Sequence, residues 1–367
     1  MPRYSRRTLL STLAIAPFSS SIQDSMAQDF FDVTPSFPAE TWQFAEPGEE
    51  NMASELLDAA RQRIEIDTPL LSGMVVVRNG RIVMEHYQNG TGEGDAFHVW
   101  SVSKSITNIA VGLAVKEGLF RSLDQTLGEL IADRIPAGAD PRVATISLEH
   151  LLTMTAGWFW DGTINFSRAA ETDNLDLMMS RQMRCSPGEC FEYDSGCSNL
   201  LAYAVQQQSG MLMADFLDSR LFKPLGMVRP EWIVTSDGLN RGGGGAFLTL
   251  RDMAKIGLLY LNQGKWGDSR IVDLRWVLRS TRPQATGVGA LSGVNIGTGP
   301  YGYHWWVASP GGRTGFSALG YGGQVIVVVP SLDMVVTAGF AGADPARPDL
   351  QQRPLPIIEN FIIPAAQ

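Results

Sequence analysis

Lysine is scarce in this chain: only five of 367 residues, alongside three cysteines and four histidines. Each shortage removes a class of function. The histidines (His86, His98, His150 and His304) show no ligand spacing and none lies near the cysteines, so a metal centre is not expected. Basic side chains number 29 against 38 acidic ones, a net charge of −9. A surface of that sign repels nucleic acid and anionic lipid, which argues against both as partners. A chain 18% charged and 44% hydrophobic is neither disordered nor fibrous, and it is long enough to bury a large core. Long Pro/Ser-rich linkers and internal repeats are also missing, so interleaved subdomains are expected rather than beads on a string.

The N-terminus supplies the first positive signal. Arg3, Arg6 and Arg7 precede an apolar run from Leu9 to Phe18, then small and polar residues ending at Ala27. These are the three parts of an export signal, too short to span a membrane as a mature helix. The run Ser5-Arg6-Arg7-Thr8-Leu9-Leu10 resembles a twin-arginine signal, the bacterial route for proteins that fold before export. No cysteine stands near the cleavage point to carry a lipid anchor. Beyond residue 27 no apolar run reaches the roughly 18 residues of a membrane helix, so a soluble periplasmic or secreted protein is expected. Removing residues 1 to 27 takes away three arginines and one aspartate, leaving 26 basic and 37 acidic side chains and a net charge of −11. In such a compartment Cys185-Ser186-Pro187-Gly188-Glu189-Cys190 reads as a turn that a disulfide could close, with Cys197 left over.

After an extended stretch from Phe30 to Pro47, residues Met52 to Ile66 carry helical periodicity. Met74 to Met84 is two β-branched runs joined by Asn79-Gly80, a hairpin signal. Ser101 to Glu117 reads as a helix apolar on nearly every side, stopped by Gly118 and hence buried. Helical signals continue at Ser147 to Met154, Ser198 to Ser209 and Leu212 to Leu221, and another helix begins near Thr249, whose hydroxyl suits a cap. Late in the chain Tyr301 to Val307, Gly322 to Val329 and Met334 to Phe340 read as strands, and Leu355 to Ile362 as a last helix. The expected fold is therefore α/β in the α+β sense: one antiparallel sheet from N- and C-terminal segments, flanked by helices, with an inserted helical subdomain. In residue numbers this is a signal at 1–27, an extended segment at 28–50, a sheet domain at 51–118 and 246–367, and a helical subdomain at 119–245.

One of the five lysines sits where it is hardest to explain. Ser101 and Lys104 are one helical turn apart and share a face, so the amine is within reach of the hydroxyl. A hydroxyl is a weak nucleophile until a base takes its proton, and a lysine desolvated in a core is such a base. At the helix N-terminus, backbone N–H groups also point to where an oxyanion would form. The plain alternative is that Ser101 only caps the helix while Lys104 reaches solvent. A helix with so little polar surface offers few ways out.

Two further stretches carry the same double reading. Tyr193, in Phe191-Glu192-Tyr193-Asp194-Ser195, could shuttle protons beside a cation or simply pack. Gly320-Tyr321-Gly322-Gly323-Gln324 leads into a strand, where glycines permit close backbone approach or form a tight turn. Trp158, Phe159 and Trp160, with Trp305 and Trp306, either wall an acyl pocket or belong to the core; packing is the commoner role for such residues, and for His304.

The order of these motifs, over residues 50 to 345, resembles the serine β-lactamase and penicillin-binding superfamily. Within it the chain is similar to the class C β-lactamase-related branch, which includes family VIII carboxylesterases and 6-aminohexanoate-dimer hydrolases. Ile146 to Gly157 and Gly243 to Thr249 are also similar to recurring family segments. The resemblance implies a β-lactamase-like fold, Ser101 as the acylated nucleophile, Lys104 as its proton acceptor and Tyr193 as general base, then acid. The backbone N–H groups of Ser101 and Gln324 would form the oxyanion hole, with Gly323, Tyr321 and Ser195 lining the substrate site and no cofactor or metal required. Two departures shape the substrate. Tyr193-Asp194-Ser195 stands where β-lactamases of this branch have Tyr-x-Asn, and Tyr321-Gly322-Gly323 where they have Lys-Thr-Gly, which removes a carboxylate-binding cation. Small-molecule esters or linear amides fit better than β-lactams or peptidoglycan; a ligand-binding copy of the fold without turnover is the rival from another class.

Overall fold

The computed structural model describes residues 36–38, 41–159, 174–291, 294–308 and 310–366. The export signal, most of residues 28–40 and Trp160 lie outside them. The hairpin signal is realised as β1 (Gly73–Arg78) and β2 (Arg81–Tyr87), with Asn79 and Gly80 both left-handed at the turn. Asn and Gly tolerate that conformation best, which is why they carry the reversal. Short β3 (Phe97–His98) pairs with β4 (Phe247–Leu248), and β5 (Lys265–Trp266) with β6 (Ser269–Arg270). β7 (Ala285–Leu291), β8 (Val294–Tyr301), β9 (Trp306–Ala308), β10 (Gly315–Gly320), β11 (Gln324–Val329) and β12 (Met334–Gly339) complete the strands.

Eight strands form one antiparallel sheet in the order β2-β1-β12-β11-β10-β9-β8-β7, so the N-terminal hairpin lies beside the last strand. Val76 of β1 and Val327 of β11 both face Val336 in register. β1, β10, β11 and β12 are buried along their whole length. Strands covered on both faces read as continuous apolar runs, as these do. One face is covered by α6 (Leu250–Leu261), where a Cβ on Gly257 would press into Val335 and Ile326. The opposite face receives the C-terminal helical stretch from Leu355 to Ala365, which packs with α1 (Ser54–Asp67) through an Ala53 N–H bond to the Ala365 carbonyl. Between the two halves of the sheet the chain makes α2 (Val102–Lys116), α3 (Leu148–Leu152), α4 (Leu175–Met179), α5 (Ser195–Ser209) and a short helix Met213–Leu217 that continues as a π turn, Asp218–Phe222. α7 (Leu274–Ser280) leads into β7.

Three departures have physical reasons. The strand expected over Tyr301 to Val307 is two strands, because Gly302 to Trp305 form a turn closed by a Gly302 N–H bond to Trp305, with His304 left-handed. Gly302 lies so close to the Ser280 carbonyl that no side chain fits. β7, β8 and β10 were not expected, since Ala285 to Pro300 is rich in glycine and lacks a two-residue alternation, and Gly315 to Gly320 is bounded by glycines with Ser317 and Ala318 at its centre. α5 begins at Ser195 rather than Ser198, because the Asp194 carboxylate accepts from the Gly196 N–H and caps the helix three residues early.

Candidate active site

α2 explains the scarce lysine. It is buried along all but its last residues, yet it carries Ser103, Lys104, Ser105, Thr107 and Asn108. Every one of these finds a tertiary partner. Ser103 Oγ accepts from Ala246 N–H, Thr107 donates to the Gly242 carbonyl at 2.8 Å, and Lys104 Nζ donates to the Gly243 carbonyl. Ser105 donates to the His304 carbonyl, and Asn108 bonds Tyr260, Tyr303 and Trp276. Buried polar groups are retained where they are satisfied, and here the four-glycine run supplies the acceptors for Lys104 and Thr107. Three of its four residues, Gly242, Gly243 and Gly245, have no room for a side chain. A Cβ on Gly242 would collide with the Ser198 carbonyl, and one on Gly243 with Ser195.

Ser101 is the N-cap residue of α2, mostly buried, and it follows Trp100, whose φ of 49° is left-handed. Such a conformation is costly for a bulky residue and is held here on both flanks. β3 anchors one side, with Val99 N–H bonded to Ala246, while the Trp100 ring lies between His98 at 4.3 Å and Tyr321 at 5.5 Å.

Lys104 is 1% exposed, with Nζ 2.9 Å from Ser101 Oγ and 2.9 Å from Ser195 Oγ. Burial lowers its pKa to about 7, against the opposing charge of Asp194. A neutral amine has two N–H donors and one lone pair. With Ser195 and Gly243 accepting, the lone pair is left for the proton of Ser101. Tyr193 completes the group: it is buried, and its ring centroid is 5.1 Å from Lys104 Nζ. Burial pushes its phenol up, partly offset by the Ser101 hydroxyl beside it. Its ring stacks on Trp306 at 5.6 Å and meets Tyr301 edge-on.

The segment that delivers Tyr193 is pinned from both ends. Cys185 and Cys190 are joined as a disulfide, and backbone bonds tie Arg184 to Gly157, Gly188 to Thr155 and Glu192 to Met154. Downstream, Asp194 pairs with Arg181 at 2.6 Å while capping α5. Cys197 is free and buried.

Among the remaining expected residues, Ser195 meets Lys104 directly. Gln324 is fully buried and its side-chain amide is committed to the backbone of Phe340. Gly323 lies against Gln352. What reaches the Ser101 segment is the end of β10: a Cβ on Gly320 would touch the Val99 carbonyl, and Tyr321 meets Trp100. β9 pairs with β10 only over Gly315 to Ser317, so among the described residues Ala318 to Gly320 have no strand partner on that edge. Trp158 and Trp305 are core residues, Phe159 is half-exposed, and Trp306 is the tryptophan that touches Tyr193. His304 is structural: its Nδ1 sits 3.0 Å from the Lys104 carbonyl, and burial lowers its pKa to about 3. Among the described residues no group of three or more His, Cys, Asp or Glu could hold a metal, and no helix is long and apolar enough to cross a membrane.

With this geometry established, comparison with known proteins is decisive at the level of family. The β-lactamase family profile matches residues 70–356. The chain belongs to the β-lactamase family. It is 24% identical over 319 residues to the 6-aminohexanoate-dimer hydrolase of Paenarthrobacter ureafaciens, covering 79% of this chain and 78% of that one. Among solved structures, one provisionally named 6-aminohexanoate-dimer hydrolase from Bacillus anthracis superposes with a TM-score of 0.67 at 19% identity, over 90% of this chain and 89% of that one. A penicillin-binding protein from Bacillus halodurans gives 0.60 at 19% identity, over 78% and 97%. The fold is thus that of the β-lactamase family, and the chain is a hydrolase of that family. Sequence reasoning on this β-lactamase-family chain passed over the Gly243 carbonyl and the double duty of Asp194. The glycine run was visible, but which side chains it serves depends on the helix packed against it.

Proposed function

We propose that the protein is an exported serine hydrolase that cleaves an ester or linear amide of a small molecule through an acyl-enzyme on Ser101. The observation that carries this reading is a lysine amine, buried and held near neutrality, 2.9 Å from the serine hydroxyl. Lys104 takes the Ser101 proton as Oγ attacks the carbonyl carbon. The resulting oxyanion is met by the Ser101 N–H at the start of α2 and by a second backbone donor, each such donor being worth roughly 3 kcal/mol. Gln324 is the second donor that family resemblance suggests; the packing of Gly320 and Tyr321 against Val99 and Trp100 favours the Tyr321 amide instead. Tyr193 passes a proton to the leaving alcohol or amine as the tetrahedral adduct collapses. Water then attacks the acyl-enzyme, giving its proton back through the same pair, and the carboxylic acid departs.

A linear substrate is supported by two features. No lysine stands at Tyr321-Gly322-Gly323 to hold a carboxylate, and a relative matched over 79% of this chain is named for hydrolysis of a 6-aminohexanoate dimer. The reading of an exported protein is supported by the twin arginines, the apolar run and the small residues at the N-terminus.

The test is intact-mass analysis after exposure to a small alkyl fluorophosphonate, with nitrophenyl ester turnover alongside. One adduct on Ser101, and turnover lost in Ser101→Ala and Lys104→Ala proteins that keep their fold, is the expected result. A Lys104→Ala protein that turns over esters at the wild-type rate would remove the lysine from the mechanism.

A further inference from the structure

The sheet carries a cavity that the chemistry above does not use. It measures about 500 Å³ and lies on the face covered by the C-terminal helical stretch. Register fixes which side chains reach it. Leu319 faces Val325 across β10 and β11, and Ser317 faces Val327; all four line the cavity, while their neighbours Phe316, Ala318 and Ile326 point to the other face. Trp306 closes it on one side, Leu355 and Ile358 on the other. The charged groups at the cavity, Arg353 and Glu359, are both exposed, so its interior walls carry no charge.

Its inner wall is the outer wall of the site. Trp306 lines the cavity and stacks on Tyr193 at 5.6 Å, Tyr321 lines it and meets Trp100, and Gly320 lines it and abuts the Val99 carbonyl. The stretch joining the two regions is Ala318 to Gly320, the part of β10 with no strand on that edge among the described residues. Trp306, Tyr321 and Gly320 are therefore shared between the cavity and the surroundings of Ser101.

We propose that this cavity binds the apolar flank of the substrate, so that the preferred ester or amide carries an uncharged hydrocarbon chain or ring on one side of the scissile bond. The inference rests on the serine hydrolase reading. A volume of this size suits a drug-sized apolar group, whereas a cavity serving only to relieve packing is usually far smaller. Charge at the rim stays solvated and leaves the interior selective for hydrocarbon.

The experiment compares nitrophenyl acetate, butyrate, octanoate and decanoate on the wild type, on Leu319→Trp and on Leu355→Trp. The first variant fills the cavity from the sheet; the second fills it from the half-buried C-terminal helical stretch, where a larger ring is easier to fold around. The wild type should favour octanoate over acetate in kcat/KM. That ratio should fall about tenfold or more in a folded variant, the discrimination that one or two methylenes command in an apolar pocket. A wild type indifferent to chain length, or a preference kept in both variants, overturns the proposal. Fluorophosphonate labelling of wild-type Ser101, read separately, distinguishes the failures: labelling with no chain preference defeats only the cavity assignment, and absence of labelling defeats the hydrolase reading beneath it.

Discussion

Lys104 owes its chemistry to where its three neighbours stand. In water a lysine amine is protonated and useless as a base at pH 7; burial lowers its pKa to about 7, leaving a substantial neutral fraction there. Activity that needs the free amine must therefore rise with pH, with the acidic limb of kcat/KM centred near 7. Ser195 pulls the other way, because its Oγ accepts from Nζ and an acceptor favours the ammonium form. Ser195→Ala should therefore shift the limb to lower pH while reducing kcat about tenfold or more through loss of a charge-assisted bond. Lys104→Arg should be inactive at all accessible pH, since a guanidinium does not deprotonate there. A Ser195→Ala limb that stays at the wild-type pH would show that this hydroxyl does not tune the lysine.

At the scale of elements, the site is the meeting of α2, the 185–195 segment and the free edge of β10. The middle one is the least regular and depends most on covalent help. The Cys185–Cys190 bridge closes a six-residue loop immediately before Tyr193, and four backbone bonds, from Arg184, Cys185, Gly188 and Glu192, then hang that stretch on residues 154 to 157. Replacing both cysteines by serine should lower stability by about 2 kcal/mol, the order expected for closing so short a loop. It should also reduce kcat severalfold with little change in KM, because Tyr193 loses its fixed approach to Ser101. Dithiothreitol should reproduce the effect on the wild type; a folded double variant with unaltered kcat would confine the bridge to stability. The legibility of these elements followed local chemistry. The Asn79-Gly80 hairpin and the Ser101 helix were plain from turn residues and periodicity, and Thr249 caps α6 by accepting from Asp252 N–H as its position implied. β7, β8 and β10 were hidden because glycine and serine carry no strand preference of their own, and sheet neighbours alone hold them extended. Within the site, Ser101 and Lys104 were legible from one turn of helix, whereas the contact of Ser195 with the lysine required knowing that Asp194 starts α5 early.

Across the whole molecule, two ionisable groups at opposite ends of the fold, one buried and one half-buried, oppose each other in mild acid. His304 lies beneath the site against Lys104, and burial lowers its pKa to about 3. A histidine with an unfolded pKa near 6.5 then contributes stability that is complete above about 6.5 and lost as pH falls towards 3, because the unfolded chain takes the proton first. Asp333 sits at the β11–β12 turn, where its backbone carbonyl accepts from Asn79, and burial raises its pKa to about 6 despite the charge of Arg78. Its sign is reversed: the folded state takes the proton first, so stability rises as pH falls through 6 and levels off near 3.9, the unfolded value. Lys104 does not enter this window, since below about 7 it is protonated in both states. Both residues have a left-handed backbone, φ 57° for His304 and 45° for Asp333, which asparagine accepts more readily than most side chains. His304→Asn should therefore flatten the fall of Tm between pH 6.5 and 4.5, and Asp333→Asn should steepen it, each judged against its own value at pH 7.5 by thermal unfolding. Three parallel curves would mean that neither group changes protonation between the folded and unfolded states in this range.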